Sequence, residues 1–394
     1  MASPRRSWSL SLLPPEIIQE IFYKTPAEAL VLSKPTCKKL YTLITDHSFI
    51  YKHFQRTQEH FIRASDTVQI MDPITRKISV SPVPNELLRH PFKIDTLVNT
   101  HMVHCDGFML VAYNMLKYRD DGSRDTNLAL WNPVLRNIRW IEPSRSITTS
   151  DYHGIGYKNK PSDGYKILRF TSRLWEIERH EDEPEVEIYE CKTSSWRTLD
   201  VELDEGVIIM LNCVAVMGNM YWVAYRDEEV ETEFIWSFDF SDESFKEICF
   251  CPPSYDISHL ASLNGDSLSL LKQDEVSRTI EVWVSSKLGD GDGDVSFSKY
   301  FSLSGPDIPA LRIDDEAARP VYCFVKTKSV LVWCVGVEGE GDNVCRCLTL
   351  YEIDEDGVRN DKVTERDYVH DYSRSNLCGY VYVPSMIPLP WVGE

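Results

Sequence analysis

The chain has 394 residues, with 61 acidic against 42 basic side chains, a formal net charge of −19 and a pI near 5.0. That balance repels phosphate backbones and anionic lipid, which argues against nucleic acid and against polybasic docking on membranes. A hydrophobic share of 43% with only 18 glycines excludes a disordered or collagen-like chain. The charge is uneven: residues 1–64 hold 9 basic and 5 acidic side chains, net +4, and the remaining 330 hold 33 and 56, net −23. A basic head on an acidic body predicts two units with different partners.

After a tail over residues 1–8, residues 9–55 have helical periodicity. Pro14 and Pro15 suit a first helical turn, Glu16 sits near the positive end of the dipole, and Ile17, Ile18, Ile21 and Phe22 form one apolar stripe. Thr25 and Glu28 have the spacing of a capping box, with Pro26 opening a short apolar helix through Ala29–Leu32 that stops before Pro35. A third run places Cys37, Leu40, Tyr41, Leu43 and Ile44 on one side and Lys38 and Lys39 away from it. Three helices of about ten residues are too small to bury their stripes on each other. They predict either a cap docked on the rest of the chain or a clamp completed by another protein.

The segments LLPPEIIQEIF (12–22), TPAEALVL (25–32), CKKLYTLI (37–44) and HSFIYKHF (47–54) together resemble an F-box. The resemblance implies a surface for a Skp-type adaptor, and through it for cullin and RING subunits. It assigns that surface to Leu13, Pro14, Glu16, Ile17, Ile21, Phe22, Pro26, Leu30, Leu32, Cys37, Lys38, Leu40, Leu43, Ile44 and Phe49. The chain departs from the family pattern in three places. Leu32-Ser33 replaces an Arg-Phe pair, Pro35 precedes the Cys-Lys pair, and Leu40 stands where a Trp is usual.

Beyond a linker at 56–66, residues 67–390 switch to short strands with internal repeats. A hairpin unit recurs, with aligned anchors Met71, Trp131, Tyr189, Phe238, Trp283 and Tyr351 at a mean spacing of 56 residues. Further apolar strands lie between the units. Residues 206–225 carry no charge, yet Asn212, Asn219 and the turn pair Gly218-Asn219 make them two buried strands rather than a membrane span. Five full repeats, plus an orphan hairpin at 68–80 and an orphan strand at 380–389, predict a six-bladed propeller joined from both chain ends, with a β-sandwich as the alternative. WNPVLRNIRWI, YHGIGYKNKPSDGYKILRF and NMYWVAY are similar to the F-box-associated domain of large plant F-box families. The expected fold class is therefore mainly β with a small α N-terminal domain.

No catalytic constellation is legible, so a non-enzymatic chain without cofactor or metal is expected. His101, His104, Cys105 and Asp106 are metal-ligand types at the start of an apolar strand, without a second cluster. Asp290-Gly-Asp292-Gly-Asp294 starts like a calcium loop but has Val295 and Phe301 where Gly and Glu are needed. The runs 180–187 and 226–233 read as solvated acidic loops, an electronegative rim suited to a basic segment of a target protein. Eleven cysteines without a paired framework predict reduced thiols and a cytoplasmic or nuclear setting. The implied function is the substrate receptor of a Skp–cullin–F-box ubiquitin ligase. The alternatives are an adaptor-free scaffold and a propeller enzyme.

Overall fold

Proline and short polar side chains cut the N-terminal residues into small helices. The computed structural model describes residues 13–390 except 65–66, 85–97, 119–123, 145–150, 162–163, 172–185, 202, 205, 227–228, 254–257, 275, 290–293, 312–318, 339–344 and 368–378. Helices α1 (Pro15–Tyr23), α2 (Ala27–Ser33), α3 (Lys38–Thr45) and α4 (His47–Phe54) follow one another, with a 3-10 turn at Lys34–Thr36. The expected third helix is two, because the Asp46 carboxylate ends α3 and caps α4 by accepting from Phe49 N at 2.8 Å. Nor does Thr25 cap α2. Its hydroxyl donates to Ile21 O at 2.8 Å and closes α1 instead.

The body is six four-stranded antiparallel sheets. The first contains β1 (His60–Ala64), β2 (Thr67–Met71) and β3 (Ile78–Pro82). The second is β4 (Val98–Cys105), β5 (Phe108–Tyr118), β6 (Arg124–Asn132) and β7 (Asn137–Ile141). The third is β8 (Asp151–Tyr157), β9 (Tyr165–Thr171), β10 (Val186–Glu190) and β11 (Ser195–Thr198). The fourth is β12 (Val207–Val216), β13 (Asn219–Arg226), β14 (Glu229–Asp239) and β15 (Ser244–Phe250). The fifth is β16 (His259–Leu263), β17 (Ser267–Gln273), β18 (Ile280–Ser285) and β19 (Phe297–Leu303). The sixth is β20 (Val321–Lys326), β21 (Ser329–Glu338), β22 (Cys345–Asp354) and β23 (Gly357–Asp367).

The remaining strand, β24 (Tyr380–Tyr382), returns to the first sheet and pairs with β1 in the register His60↔Tyr382, Phe61↔Val381, Ile62↔Tyr380. The innermost strands β24, β4, β8, β12, β16 and β20 touch in that order and β20 meets β24, which closes the ring. The structure is a six-bladed propeller, not a sandwich. Its first blade starts at His60, inside the stretch expected to be a linker.

All six anchors lie on the third strand of their blades. Met71, Trp131, Tyr189 and Phe238 are buried, and Trp283 and Tyr351 half-buried. Blades pack face to face, as where Phe170 meets Trp222, Trp236 and Phe245 with ring centroids 5.2–6.0 Å apart. The uncharged stretch 206–225 is the β12–β13 hairpin. Its left-handed turn residues are Met217 and Gly218, one position before the pair expected. No helix among the described residues is long and apolar enough to cross a membrane.

Candidate functional site

The head divides its apolar residues between two surfaces. Ala27, Leu30, Ile44, Phe49 and Ile50 are buried, in one cluster with Val103, Phe108, Leu130 and Ile167 of blades two and three. Phe22, Leu40 and Leu43 are half-buried against the same cluster. Two-turn helices cannot make a core alone, and the propeller supplies the missing half. His53, 1% exposed, ties the helices together through Nε2–H donating to Thr25 O at 2.8 Å, while Nδ1 accepts from the Thr57 hydroxyl at 3.1 Å. Burial holds its pKa below the ordinary value, which suits the neutral ring these bonds need. Arg56 pairs with Glu20 at 3.0 Å and lies over the Tyr23 ring.

The other surface faces outward. Leu13, Ile17 and Ile21, four residues apart, are 39%, 48% and 42% exposed. Leu32 of α2 is 77% exposed and Tyr41 of α3 55%. Isolated exposed apolar side chains are ordinary, but Leu13, Ile17 and Ile21 recur at helical spacing along α1 and the turn before it, which makes a stripe. Pro14, Glu16, Pro26, Cys37 and Lys38 are exposed as well.

Of the fifteen residues assigned by resemblance, then, nine are exposed and three half-buried. Leu30, Ile44 and Phe49 sit inside the chain's own core. Sequence periodicity put Tyr41 on the same side as Ile44. The structure separates them, with Tyr41 outward and Ile44 fully buried.

The other sequence candidates resolve into structure. His104 Nε2 accepts backbone N–H bonds from Gly107 at 2.9 Å and Val383 at 3.1 Å, and burial pushes its pKa down to about 3. Asp106 accepts the Tyr165 hydroxyl at 2.8 Å, and burial pushes its carboxyl up to about 6. His101 packs edge-on to Tyr380. No group of three or more potential metal ligands occurs among the described residues. The calcium-like run falls mostly outside them, at 290–293, as do 180–185 and 227–228 of the acidic runs.

The described parts of the acidic runs are not simply solvated. Glu187 is buried and faces Arg169 NH1 at 3.3 Å. Glu233 meets Lys272 at 3.3 Å, and Arg226 bridges Asp204 and Glu247 at 2.7 Å each. Arg169, fully buried, also holds Asp151 at 2.9 Å. Sequence spacing does not reveal that triad, because its members come from three strands of one blade.

Comparison with known proteins adds to this geometry. Residues 10–52 match the F-box domain family, and residues 60–389 the F-box associated beta propeller domain family. F-box only protein 15 of Arabidopsis thaliana is 44% identical over 387 residues, covering 96% of this chain and 97% of the relative. F-box protein At3g08750 of the same plant is 43% identical over 96% of this chain and 98% of its own length. F-box/WD-40 repeat-containing protein 1, also from Arabidopsis thaliana, is 34% identical over 96% and 90%. A two-surfaced helical head on a closed six-bladed ring, matched along nearly its whole length, places this chain in the family of plant F-box proteins with an F-box-associated β-propeller.

Proposed function

We propose that the chain is the substrate-receptor subunit of a Skp–cullin–F-box ubiquitin ligase. The outward stripe of the head takes the Skp-type adaptor, which links it to cullin and RING subunits, and the propeller holds a target protein. The observation that carries this reading is the exposed apolar stripe Leu13, Ile17 and Ile21, with Leu32 and Tyr41 also exposed on α2 and α3, left over after the head has buried its other face. In this role the chain supplies no nucleophile. It raises the effective concentration of target lysines near a ubiquitin-loaded enzyme by holding both partners on one body.

Topology supports a basic target. Each odd-to-even connection (β1–β2, β3–β4 and so on to β23–β24) leaves the sheets at one rim, and each even-to-odd connection at the other. The head sits at the even-to-odd rim, where Tyr51 of α4 lies beside Asp106 and Tyr165. By sequence, the even-to-odd connections hold 11 acidic and 8 basic residues, net −3, and the odd-to-even connections 28 and 10, net −18. That bias of the sequence supports a basic segment as what the target offers.

The test is adaptor capture by the full chain and by the variants Leu13→Ala/Pro14→Ala and Ile21→Asp. Wild type should retain a Skp-type adaptor, and Ile21→Asp should weaken capture at least tenfold by placing an unpaired charge in the interface. A folded wild-type chain that captures no adaptor would sink the reading.

A further inference from the structure

We propose that the C-terminal segment Val383–Leu389 is a strap that seats the helical head, so that the head acquires its fixed position only when β24 has closed the ring. The segment follows a closing strand of three residues and belongs to no sheet. Its backbone is instead held by side chains of blade two. Val383 N donates to His104 Nε2 at 3.1 Å, and Asn132 Nδ2 donates both to Ser385 O at 3.1 Å and to Ile387 O at 2.8 Å. Ser385 Oγ accepts from Ile387 N at 3.0 Å.

The fit is close. Gly107 has φ +88°, and a Cβ there would lie 1.9 Å from Ser385 Cβ, so the β4–β5 turn tolerates only glycine beneath the strap. Asn132 and Ser385 are both fully buried.

The strap's apolar side chains enter the buried cluster that also seats the head. Met386 and Ile387 are buried and Leu389 half-buried in the cluster that contains Ala27, Leu30, Ile44, Phe49 and Ile50. Glu28 of α2 lies within electrostatic reach of Tyr382 on the closing strand and of His60, its register partner. Head and strap thus share one buried cluster. Without Val383–Leu389 that cluster loses Met386 and Ile387, and the head is not held at a set angle to the far rim.

The experiment is native-state hydrogen exchange on the full chain at rising denaturant, on wild type and on Asn132→Asp. That variant keeps the acceptor for Leu135 N but turns an oxygen toward the Ser385 and Ile387 carbonyls. In wild type, amides of 27–31, 49–53 and 383–389 should open as one unit with a common denaturant dependence. In Asn132→Asp, exchange of both head and strap should rise at least tenfold, with β14, β18 and β22 unchanged. Faster strap exchange with an unchanged head overturns the proposal, as does unchanged exchange in both. A wild-type head that opens at lower denaturant than the strap also overturns it, and decides the question if Asn132→Asp does not fold. Because the readout needs no adaptor, its outcome is independent of adaptor capture.

Discussion

Leu30 and Ile17, both in the head and both assigned to one surface by sequence resemblance, should respond oppositely to truncation. Leu30 is 1% exposed and surrounded by the cluster shared with blades two and three. Leu30→Ala removes a fully buried side chain from a site closed by two units that cannot both collapse inward, and should cost about 3–5 kcal/mol. Ile17 is 48% exposed. Since burying an isoleucine completely is worth roughly 1.5–3 kcal/mol, Ile17→Ala should cost about 1 kcal/mol or less of folding stability. Urea unfolding measures the first quantity. Adaptor capture, normalised to folded protein at low denaturant, measures the second. Leu30→Ala should lose stability and keep capture per folded molecule, whereas Ile17→Ala should keep stability and lose capture. The reasoning fails if Ile17→Ala is as destabilising as Leu30→Ala. It fails equally if Leu30→Ala weakens capture without changing stability.

Two predictions concern buried charge. The Glu59 carboxyl, next to β1, accepts the Ser262 hydroxyl at 2.8 Å, and burial pushes its pKa up from 4.5 to about 7. The folded state therefore favours the protonated acid, and the stability this contributes is complete below pH 4.5 and lost as pH rises through 7. Glu59→Gln keeps an acceptor for Ser262, so the variant should gain about 3 kcal/mol on wild type between pH 4 and pH 8. Parallel stability–pH profiles of the two proteins would refute this. The comparison must be between variants, because His104 and His153, both held near 3 by burial, lose stability as pH falls below 6.5 and mask the trend in wild type alone. Arg169→Met should destabilise the propeller by about 3–5 kcal/mol in urea, since it strands the carboxylates of Asp151 and Glu187; a loss below about 1 kcal/mol would mean they find other partners.

The third strand of each blade was legible because one large apolar anchor recurs per blade, 45–68 residues after the last, between alternating apolar neighbours. The inner strands were harder to read. β1 (HFIRA) has five residues, β8 carries Gly154 and Gly156 at close contacts with Met220 and blade four, and β16 starts at a buried histidine. These strands adapt to crowding near the ring axis rather than to an alternating pattern. On the head, periodicity identified apolar stripes but not which partner covers each, because both faces of a two-turn helix can be apolar. Leu30 and Leu32 are two residues apart in one helix, the first enclosed and the second 77% exposed. Only the position of blades two and three distinguishes them.

That ambiguity follows from the length of the helices. The four helices run from seven to nine residues, below the length at which a helix is stable alone. Their order must come from tertiary contact, so one face of each is committed inward before any partner arrives. The outward row Leu13, Ile17, Ile21 then keeps a fixed orientation to the propeller only to the degree that Ala27, Leu30, Ile44, Phe49 and Ile50 are seated. A head on a flexible tether would have to order itself on binding and would leave the target at a variable distance. A head that shares its core with the propeller has its ordering cost met during folding and transmits a fixed angle to the far rim. In the proposed receptor role, presenting one partner at a set angle to the other is thus a property of the buried face, and substitutions there should disturb that geometry without touching either partner.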